Sequence, residues 1–275
     1  MGNSPRNFVM KFVSLNPDHF SFITTAIVMA RYFLELSYKG TGFSGFQVQQ
    51  NANTIQAEVE KALLILHGKK FELTGSSRTD GGVHALQNYF HFDADEIHPQ
   101  SVYKLNAILP FDIAVKKLYK MSGQAHCRFD ALSREYEYQI HRFKNPFKKE
   151  TSFYYPYQLN NQLLNEAATF VKQQTNFFGF AKSNTQVANF HCSIYNSQWQ
   201  LSETEMIYRI TGNRFLRGMV RLLTASILKV GREQLSFEDF KNLFEGKQKA
   251  GYSVPAEGLF LKSVNYPQNY FLLQA

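Results

Sequence analysis

The chain has 275 residues, 44% hydrophobic and 19% charged, as expected for a globular protein with one large domain or two small ones. Its net charge of +8 favours a polyanionic partner, although modest basicity is also common in proteins that bind no nucleic acid. With only Cys127 and Cys192, the sequence excludes a secreted disulfide framework, and we expect a reducing, cytoplasmic location. Each cysteine follows a histidine (His126, His191), but neighbouring side chains in a strand point to opposite faces, so we predict no metal site.

Residues 1–28 form an N-terminal extension that we predict to be dispensable. The apolar run at 20–30 has eleven residues, too few to cross a bilayer. A signal peptide is the alternative, because Arg6 and Lys11 precede this run, but cleavage at its end would truncate the first predicted strand. We therefore expect the folded domain to begin at Met29, and we expect no membrane partner.

Residues 29–122 are predicted to form an α+β half. Alternating apolar residues indicate strands, and a 3.6-residue apolar period indicates helices. Asn53 is the expected N-cap of the first helix, and Gly68 its C-terminal stop. The predicted elements are a strand at 32–38, a helix at 54–67, strands at 70–73 and 86–92, a short helix at 99–108 and a strand at 113–118.

Residues 123–275 are predicted to form a second α+β half, which holds most of the excess positive charge. The two halves share the order strand–helix–strand–strand–helix–strand, which predicts a pseudo-duplicated α+β fold. The predicted elements are a strand at 131–143, a helix at 162–173, strands at 193–201 and 206–211, helices at 214–230 and 237–244, and a strand at 259–264.

The segment from Gly40 to Gly45 matches the G-x-G-x-x-G pattern of dinucleotide-binding loops. That pattern binds a pyrophosphate only when its last glycine opens a helix. Here seven residues, 46–52, intervene before the N-cap of the predicted helix. We therefore predict no nucleotide cofactor, and a flexible, substrate-facing loop rich in Phe and Gln.

The segment Gly75–Ala85 carries a lone carboxylate, Asp80, two residues after Arg78 and directly before Gly81 and Gly82. An aspartate is ionised at neutral pH and is suited to act as a nucleophile or base. The two glycines would leave clearance for a bulky substrate. The alternative is an ordinary Asp-Gly-Gly turn with an incidental carboxylate.

Three arginines, Arg214, Arg217 and Arg221, have the spacing i, i+3, i+7 on the predicted apolar helix. This spacing places them within one narrow arc of the helix surface. Guanidinium groups on an otherwise buried helix need an anionic partner, either a phosphate or a carboxylate such as Asp80. A solvated basic face is the alternative.

The segment 142–149 interleaves basic and aromatic residues on a predicted loop, with Arg142, Lys144, Lys148 and Lys149 as its cations. Such a loop can bind phosphate groups and offer stacking surfaces to bases. A solvated turn explains the composition equally well.

Taken together, these segments resemble the tRNA pseudouridine synthase A family over about residues 31–267. The Arg-Thr-Asp-Gly-Gly-Val-His-Ala sequence around Asp80 is the most specific motif. The others follow in family order: YKGTGFSGFQ at 38–47, TIQ at 54–56, NAILPFDI at 106–113, REYEY at 134–138, GNRFLRGMVR at 212–221 and PAEGLFL at 255–261.

The resemblance implies a cofactor-free isomerase that converts uridine to pseudouridine around positions 38 to 40 in the anticodon arm of tRNA. It also implies two RRM-like, ferredoxin-like halves around a central basic cleft, with a mixed, largely antiparallel sheet. The family works as a homodimer in which one tRNA contacts both subunits.

The resemblance assigns a role to four residues. Asp80 falls on the catalytic aspartate, and Arg78 on the arginine that enters the space left by the flipped nucleotide. Tyr136 falls on the tyrosine that stacks on the target base, and Arg221 on the arginine that pairs with the aspartate. We expect the other RNA contacts from Arg214, Arg217, Arg142, Lys144, Lys148 and Lys149.

Several positions depart from the family pattern, which leaves RNA-contact details and site preference open. A different pseudouridine synthase specificity, a binding module without catalysis and an aspartyl-nucleophile hydrolase are the competing hypotheses. The intact Arg78, Asp80, Tyr136 and Arg221 argue against the second, and the absence of an oxyanion constellation in the sequence argues against the third. The departures are Lys39, Phe46, Gly81, Asn88, Gly218 and Cys192-Ser-Ile194.

Overall fold

The computed structural model describes residues 29–98, 100–182, 189–246 and 248–271, so the predicted extension at 1–28 lies outside the described residues. None of the described helices is long and apolar enough to cross a membrane. The strands are β1 (Ala30–Tyr38), β2 (Thr74–Gly75), β3 (His84–Ala94), β4 (Ile113–Met121), β5 (Ser133–His141), β6 (Phe153–Tyr154), β7 (Ile194–Leu201), β8 (Glu205–Gly212) and β9 (Leu259–Asn265). The helices are α1 (Ile55–His67), α2 (Ser101–Ile108), α3 (Asn161–Lys172), α4 (Met219–Gly231) and α5 (Phe237–Asn242).

The described strands form one mixed, largely antiparallel sheet in the order β4-β1-β3-β9-β5-β8-β7, with the short β2 paired to β3 and β6 to β5. When the short β6 is left out of the count, each half has the ferredoxin-like order, since its fourth strand lies beside its first and its third beside its second. The predicted α+β class is therefore confirmed, and the boundary near residue 122 stays a prediction.

The last strand, β9, joins the two halves in the middle of the sheet. It pairs parallel to β3, with His84 opposite Phe260, and antiparallel to β5, with Tyr136 opposite Leu261. The start of β3, directly after the Asp80 segment, therefore lies close to β5. This register positions the candidate site between the halves.

Both faces of β1 are covered. Phe33 is fully buried on one face, against the rings of Tyr266 and Phe271, and Leu34 and Leu36 are fully buried on the other. In the second half α3 packs on β7 and α4, and α4 buries Leu223 and Ile227 completely. Burial of this apolar surface is the main source of stability.

Three local predictions are wrong. Thr54 rather than Asn53 caps α1, because its side chain accepts a hydrogen bond from the backbone N–H of Ala57 at 3.3 Å. The strand predicted at 70–73 is absent, and pairing with β3 begins at Thr74. Helix α4 begins at Met219 instead of residue 214, because Gly218 has a left-handed backbone (φ +73°) that interrupts the helical path. The other predicted elements are present, with bounds that differ by up to three residues.

A buried histidine in the first half has a perturbed protonation equilibrium. The Nδ1 atom of His91 on β3 accepts the backbone N–H of Cys127 at 3.3 Å and lies 3.2 Å from its Sγ atom. Burial, together with the charge of Arg31, lowers the pKa of His91 to about 4. Among the described residues no group of three His, Cys, Asp or Glu side chains is placed to hold a metal ion.

We expect His91 to make the fold less stable in acid. Between about pH 6.5 and pH 4 the unfolded chain binds a proton that folded His91 does not, so stability falls as the pH falls through this window. The free energy of unfolding, measured by urea titration, should drop by about 2 kcal/mol more between pH 7 and pH 4.5 in the wild type than in His91→Asn. Parallel pH profiles for the two proteins would contradict this.

Candidate active site

The Asp80 segment is held by backbone hydrogen bonds from two neighbouring segments. The N–H of Phe46 donates to the carbonyl of Thr79 at 3.1 Å, and the N–H of Gly82 donates to the carbonyl of Phe43 at 3.2 Å. The N–H of Val83 closes the turn on the carbonyl of Asp80 at 3.2 Å. The carboxylate of Asp80 is thus presented from a fixed turn and remains partly accessible.

The loop from Gly40 to Gly45 supports this turn, and its predicted flexibility and contact with substrate stay predictions. Phe43 and Phe46 are buried, and Phe46 stacks on Phe90 with ring centroids 4.5 Å apart. A Cβ at Gly40 would lie 2.0 Å from the carbonyl oxygen of Val83, which only glycine avoids. Phe43 within the loop and Phe46 directly after it therefore anchor the loop in the core.

Buried polar groups fix the backbone just before Asp80. The hydroxyl groups of Tyr38 and Thr79 lie 2.8 Å apart, and the Nδ2 atom of Asn88 donates to the Tyr38 hydroxyl at 3.1 Å and to the Ser77 carbonyl at 2.9 Å. The Oδ1 atom of Asn88 accepts from the Ser76 hydroxyl at 2.8 Å. Asn88, a departure from the family pattern, is therefore fully used in this hydrogen-bond network.

The two glycines after Asp80 lie against protein on one side, and the clearance predicted for a substrate stays a prediction. A Cβ at Gly81 would meet backbone atoms of Ser44 and Phe43 at 3.4 to 3.5 Å, an ordinary contact distance. A Cβ at Gly82 would lie 3.1 Å from the Cβ of Ala256, and Gly82 has a left-handed backbone at φ +78°.

We therefore expect opposite effects from alanine at these adjacent positions. Gly81→Ala should raise the free energy of unfolding by about 0.5 kcal/mol, because it restricts the unfolded chain and fits the folded one. Gly82→Ala should lower it by about 1–2 kcal/mol, because alanine is strained at positive φ. Urea unfolding of the two variants side by side measures both effects, and equal stabilities would contradict the geometry.

Three cationic side chains among the described residues face the Asp80 carboxylate. The Nε atom of Arg217 lies 3.5 Å from Oδ1, while Nη1 of Arg221 and Nζ of Lys182 each lie 3.9 Å from Oδ2. The Nε atom of Arg221 also donates to the carbonyl of Val254 at 2.8 Å, which orients its guanidinium group. Sequence reasoning missed Lys182, because it stands far from Asp80 in the chain and no local pattern points to it.

The three predicted arginines do not share a helix face. Arg214 and Arg217 lie in the loop before α4, and Arg221 lies in its first turn. The loop still brings Arg217 to Asp80, whereas Arg214 lies near the thiol of Cys192, whose pKa burial raises to about 11 against the smaller, opposing effect of the Arg214 charge. The predicted placement of the three arginines in one arc of a helix is wrong, although the predicted pairing of Arg221 with Asp80 is present in the geometry.

Tyr136 on β5 lies within electrostatic reach of the carboxylate. Burial, with a smaller contribution from Asp80, raises the pKa of Tyr136 to about 12, so its phenol is neutral at pH 7. Its ring meets Phe215 edge to face, with centroids 5.0 Å apart. Arg78, two residues before Asp80, is exposed.

A further arginine, Arg134, holds together the backbone segments around the site. Sequence reasoning did not single it out. Its guanidinium group donates to the carbonyls of Ser76 at 3.3 Å, Arg128 at 2.7 Å and Asn213 at 3.0 Å. It thus ties the Asp80 segment to the loop before α4. Its burial lowers its pKa from the ordinary value.

The four cations of the basic loop at 142–149 differ in how accessible they are to an RNA. Lys148 is ion-paired with Glu205, and Arg142 is partly buried. Lys144 and Lys149 are exposed, as are Phe143 and Phe147. Lys39, a departure from the family pattern, forms an ion pair with Glu150 and so links this loop to the Gly40 turn beside Asp80.

Comparison with known proteins gives a consistent result. A family model described as tRNA pseudouridine synthase matches residues 36–130 and 175–267. Similar curated proteins include tRNA pseudouridine synthase A of Parabacteroides distasonis and of Bacteroides fragilis. Each is 40% identical over 248 residues, covering 88% of this chain and 98% of the relative. The protein of the same name from Staphylococcus aureus RF122 is 34% identical over 88% of this chain and 93% of its own.

Proposed function

The chain belongs to the tRNA pseudouridine synthase family and is an isomerase acting on tRNA uridine, and from this premise we propose that it modifies positions 38–40 of the anticodon arm with Asp80 as its catalytic group. The observation that carries the proposal is one carboxylate, on a rigid turn between the two halves, that faces three cations beside a buried tyrosine.

The reaction is an isomerisation, so the atoms of uridine are conserved. The N1–C1′ glycosidic bond breaks while Asp80 reacts with the nucleoside, and the uracil rotates. A C5–C1′ bond then forms, C5 loses its proton and N1 gains one. Attack at the sugar, attack at the base and initial deprotonation of the sugar all fit an ionised carboxylate at this position.

The neighbouring residues divide the remaining tasks. The exposed Arg78 would fill the space that the flipped nucleotide leaves in the RNA. The neutral ring of Tyr136 would stack on the uracil, and Arg221 would hold the carboxylate of Asp80 charged and oriented. Arg214, Arg217 and the basic loop would contact the RNA backbone.

Purified protein and unmodified tRNA transcripts test the proposal. Each transcript carries a single uridine at position 38, 39 or 40 and cytidine at the other two, and pseudouridine is mapped by its position. We expect product at one or more of these positions and none in a transcript that has cytidine at all three. Pseudouridine formed only at other positions of the tRNA would contradict the proposed site preference.

The exposed lysines of the basic loop should contribute to tRNA affinity. Lys144→Ala combined with Lys149→Ala should weaken tRNA binding about 5- to 30-fold at 0.1 M salt. The slope of log affinity against log salt concentration should also become smaller, by an amount that corresponds to nearly two phosphate contacts. Lys69→Ala is the matched control, since Lys69 lies outside this loop and pairs with Asp95, just past the end of β3 that is remote from Asp80. Filter binding across a salt series measures both, and equal losses from the pair and the control would contradict the assignment.

A homodimer and a cytoplasmic location stay predictions from the resemblance and from the two unpaired thiols of Cys127 and Cys192. Light scattering of the purified protein, with and without tRNA, tests the first. A single protomer bound to one tRNA would count against it.

A further inference from the structure

An exposed aromatic side chain lies on the segment that leads into β5. Phe129 is 74% exposed, whereas phenylalanine is among the residues most often buried in folded proteins. The ring of His126 packs against the phenyl ring with centroids 4.2 Å apart, and the exposed guanidinium group of Arg128 lies 5.7 Å from the phenyl centroid. We call these three residues the aromatic platform. Open aromatic rings and guanidinium groups are surfaces on which proteins stack nucleobases.

Hydrogen bonds hold the aromatic platform in place. The backbone N–H groups of Arg128 and Phe129 both donate to Nδ1 of His126, at 3.2 and 3.3 Å. The backbone N–H of His126 donates to Oδ2 of Asp130 at 2.8 Å, and the hydroxyl of Tyr270 donates to the same oxygen at 2.5 Å. Because the phenyl ring is positioned before a ligand binds, little conformational entropy is lost when a base stacks on it.

The aromatic platform is tied to the Asp80 segment through Arg134. One nitrogen of that side chain, Nη2, donates to the carbonyl of Arg128 at 2.7 Å and to the carbonyl of Ser76 at 3.3 Å. The two carbonyl oxygens are therefore separated by at most the sum of these lengths, about 6 Å. Asp80 follows Ser76 by four residues, which span at most about 14 Å. A few nucleotides of an RNA whose target uridine lies at Asp80 would reach the platform.

We propose that the aromatic platform stacks an unpaired nucleobase of the anticodon arm, other than the target uridine, on the ring of Phe129. The inference rests on the proposed function, since it needs an anticodon arm with its target at Asp80. RNA loops are recognised through splayed bases that pack on aromatic side chains and guanidinium planes. The positive charge of Arg128 beside the ring favours a nucleic acid over an apolar partner.

The alternative role of Phe129 is structural. In that role the phenyl ring only shields His126, whose own ring contacts the buried His91 at a centroid distance of 4.5 Å. Shielding requires an apolar side chain of about this size, whereas stacking on a base requires a flat ring. Phe129→Leu meets the first requirement and not the second, and Phe129→Trp keeps a flat ring.

The matched control is Tyr103→Leu, because Tyr103 is 80% exposed in the first turn of α2. The backbone N–H of Ile97, just before that helix, donates to the hydroxyl of Tyr32 at the end of β1 that is remote from the Gly40 turn. The control therefore removes an equally open aromatic ring far from the site.

The probe is an unmodified anticodon stem-loop RNA with one target uridine. Its dissociation constant is measured across a salt series, and single-turnover rates of pseudouridine formation are measured at saturating protein. For Phe129→Leu we expect about 5- to 30-fold weaker binding at 0.1 M salt. The slope of log affinity against log salt concentration should stay unchanged, because no charge is removed. The saturated rate should stay within about threefold of wild type, and Phe129→Trp and Tyr103→Leu should bind within about twofold of wild type.

A second set of RNAs identifies the stacked base. Each RNA carries one abasic nucleotide at a different unpaired position of the loop. At one position the abasic nucleotide should weaken binding to the wild type about as much as Phe129→Leu does. The same RNA should bind Phe129→Leu no more weakly than the unmodified RNA does, because the ring and the base act as a pair.

An affinity of Phe129→Leu within twofold of wild type would overturn the proposal. A loss of affinity to which every abasic nucleotide adds in full would also overturn it, since no base would then be coupled to the ring. A loss of affinity that accompanies dissociation of an oligomer in light scattering would overturn it in favour of a contact between proteins. These results leave the proposed function standing, because wild-type protein would still form pseudouridine. A wild-type protein that forms none at positions 38–40 would instead refute the proposed function.

Discussion

Asp80→Asn should abolish pseudouridine formation, lowering the single-turnover rate by at least about 10⁴-fold, while tRNA binding persists. The substitution keeps the shape of the side chain and removes the group that reacts with the nucleoside, and loss of a nucleophile costs effects of this size. Binding should be unchanged or tighter, because Asn no longer offsets the three cations that face residue 80.

Asp95→Asn is the matched control, since Asp95 lies just past the far end of β3 in a surface ion pair with Lys69. It should leave both rate and affinity near wild type, because exposed ion pairs contribute little. Retention of more than about 1% of the wild-type rate in Asp80→Asn would exclude an essential chemical role for the carboxylate.

Arg221→Met should lower the saturated rate by about 10²–10³-fold, the loss typical of removing one fixed electrostatic contact in an active site. Arg221 is the least exposed of the three cations and the one anchored at Nε by the carbonyl of Val254. Arg221→Lys keeps the charge but not the planar guanidinium group, so we expect an intermediate rate.

The control for Arg221 is Arg232→Met, because Arg232 lies just past the other end of α4 and packs over the ring of Tyr157 at 3.9 Å. The saturated rate of Arg232→Met should match that of the wild type. In an Asp80→Asn background, Arg221→Met should add little further loss, since the two residues act as a unit. A wild-type rate in Arg221→Met, with the fold intact by circular dichroism, would contradict the pairing.

The fold was largely predictable from the sequence because its periodic segments are long and its two halves repeat one order of elements. The start of α4 was not, because the apolar pattern runs on through residues 214–218 while Gly218 turns left-handed. That single backbone conformation leaves Arg214 outside the helix that carries Arg221, so the arginines do not share the predicted arc. Sequence spacing assumes a regular helix and cannot detect such an interruption.

The site was predictable to the extent that its chemistry lies in one motif. Asp80 and its neighbours stand together in the chain, and the register of β3, β9 and β5 brings Tyr136 near them. Lys182 and Arg134 come from distant segments and reach the site through tertiary contacts, as the hydrogen bonds of Arg134 to four separate backbone carbonyls illustrate. No local pattern encodes such contacts.

The most direct test maps pseudouridine in the tRNA of cells that lack this protein and are supplied with either the wild-type chain or Asp80→Asn. We predict that positions 38–40 are unmodified in the cells that lack the protein, restored by the wild-type chain and not restored by Asp80→Asn at equal protein level. Restoration by Asp80→Asn, or unaltered modification at these positions without the protein, would contradict the central claim that Asp80 carries out pseudouridine formation in the anticodon arm.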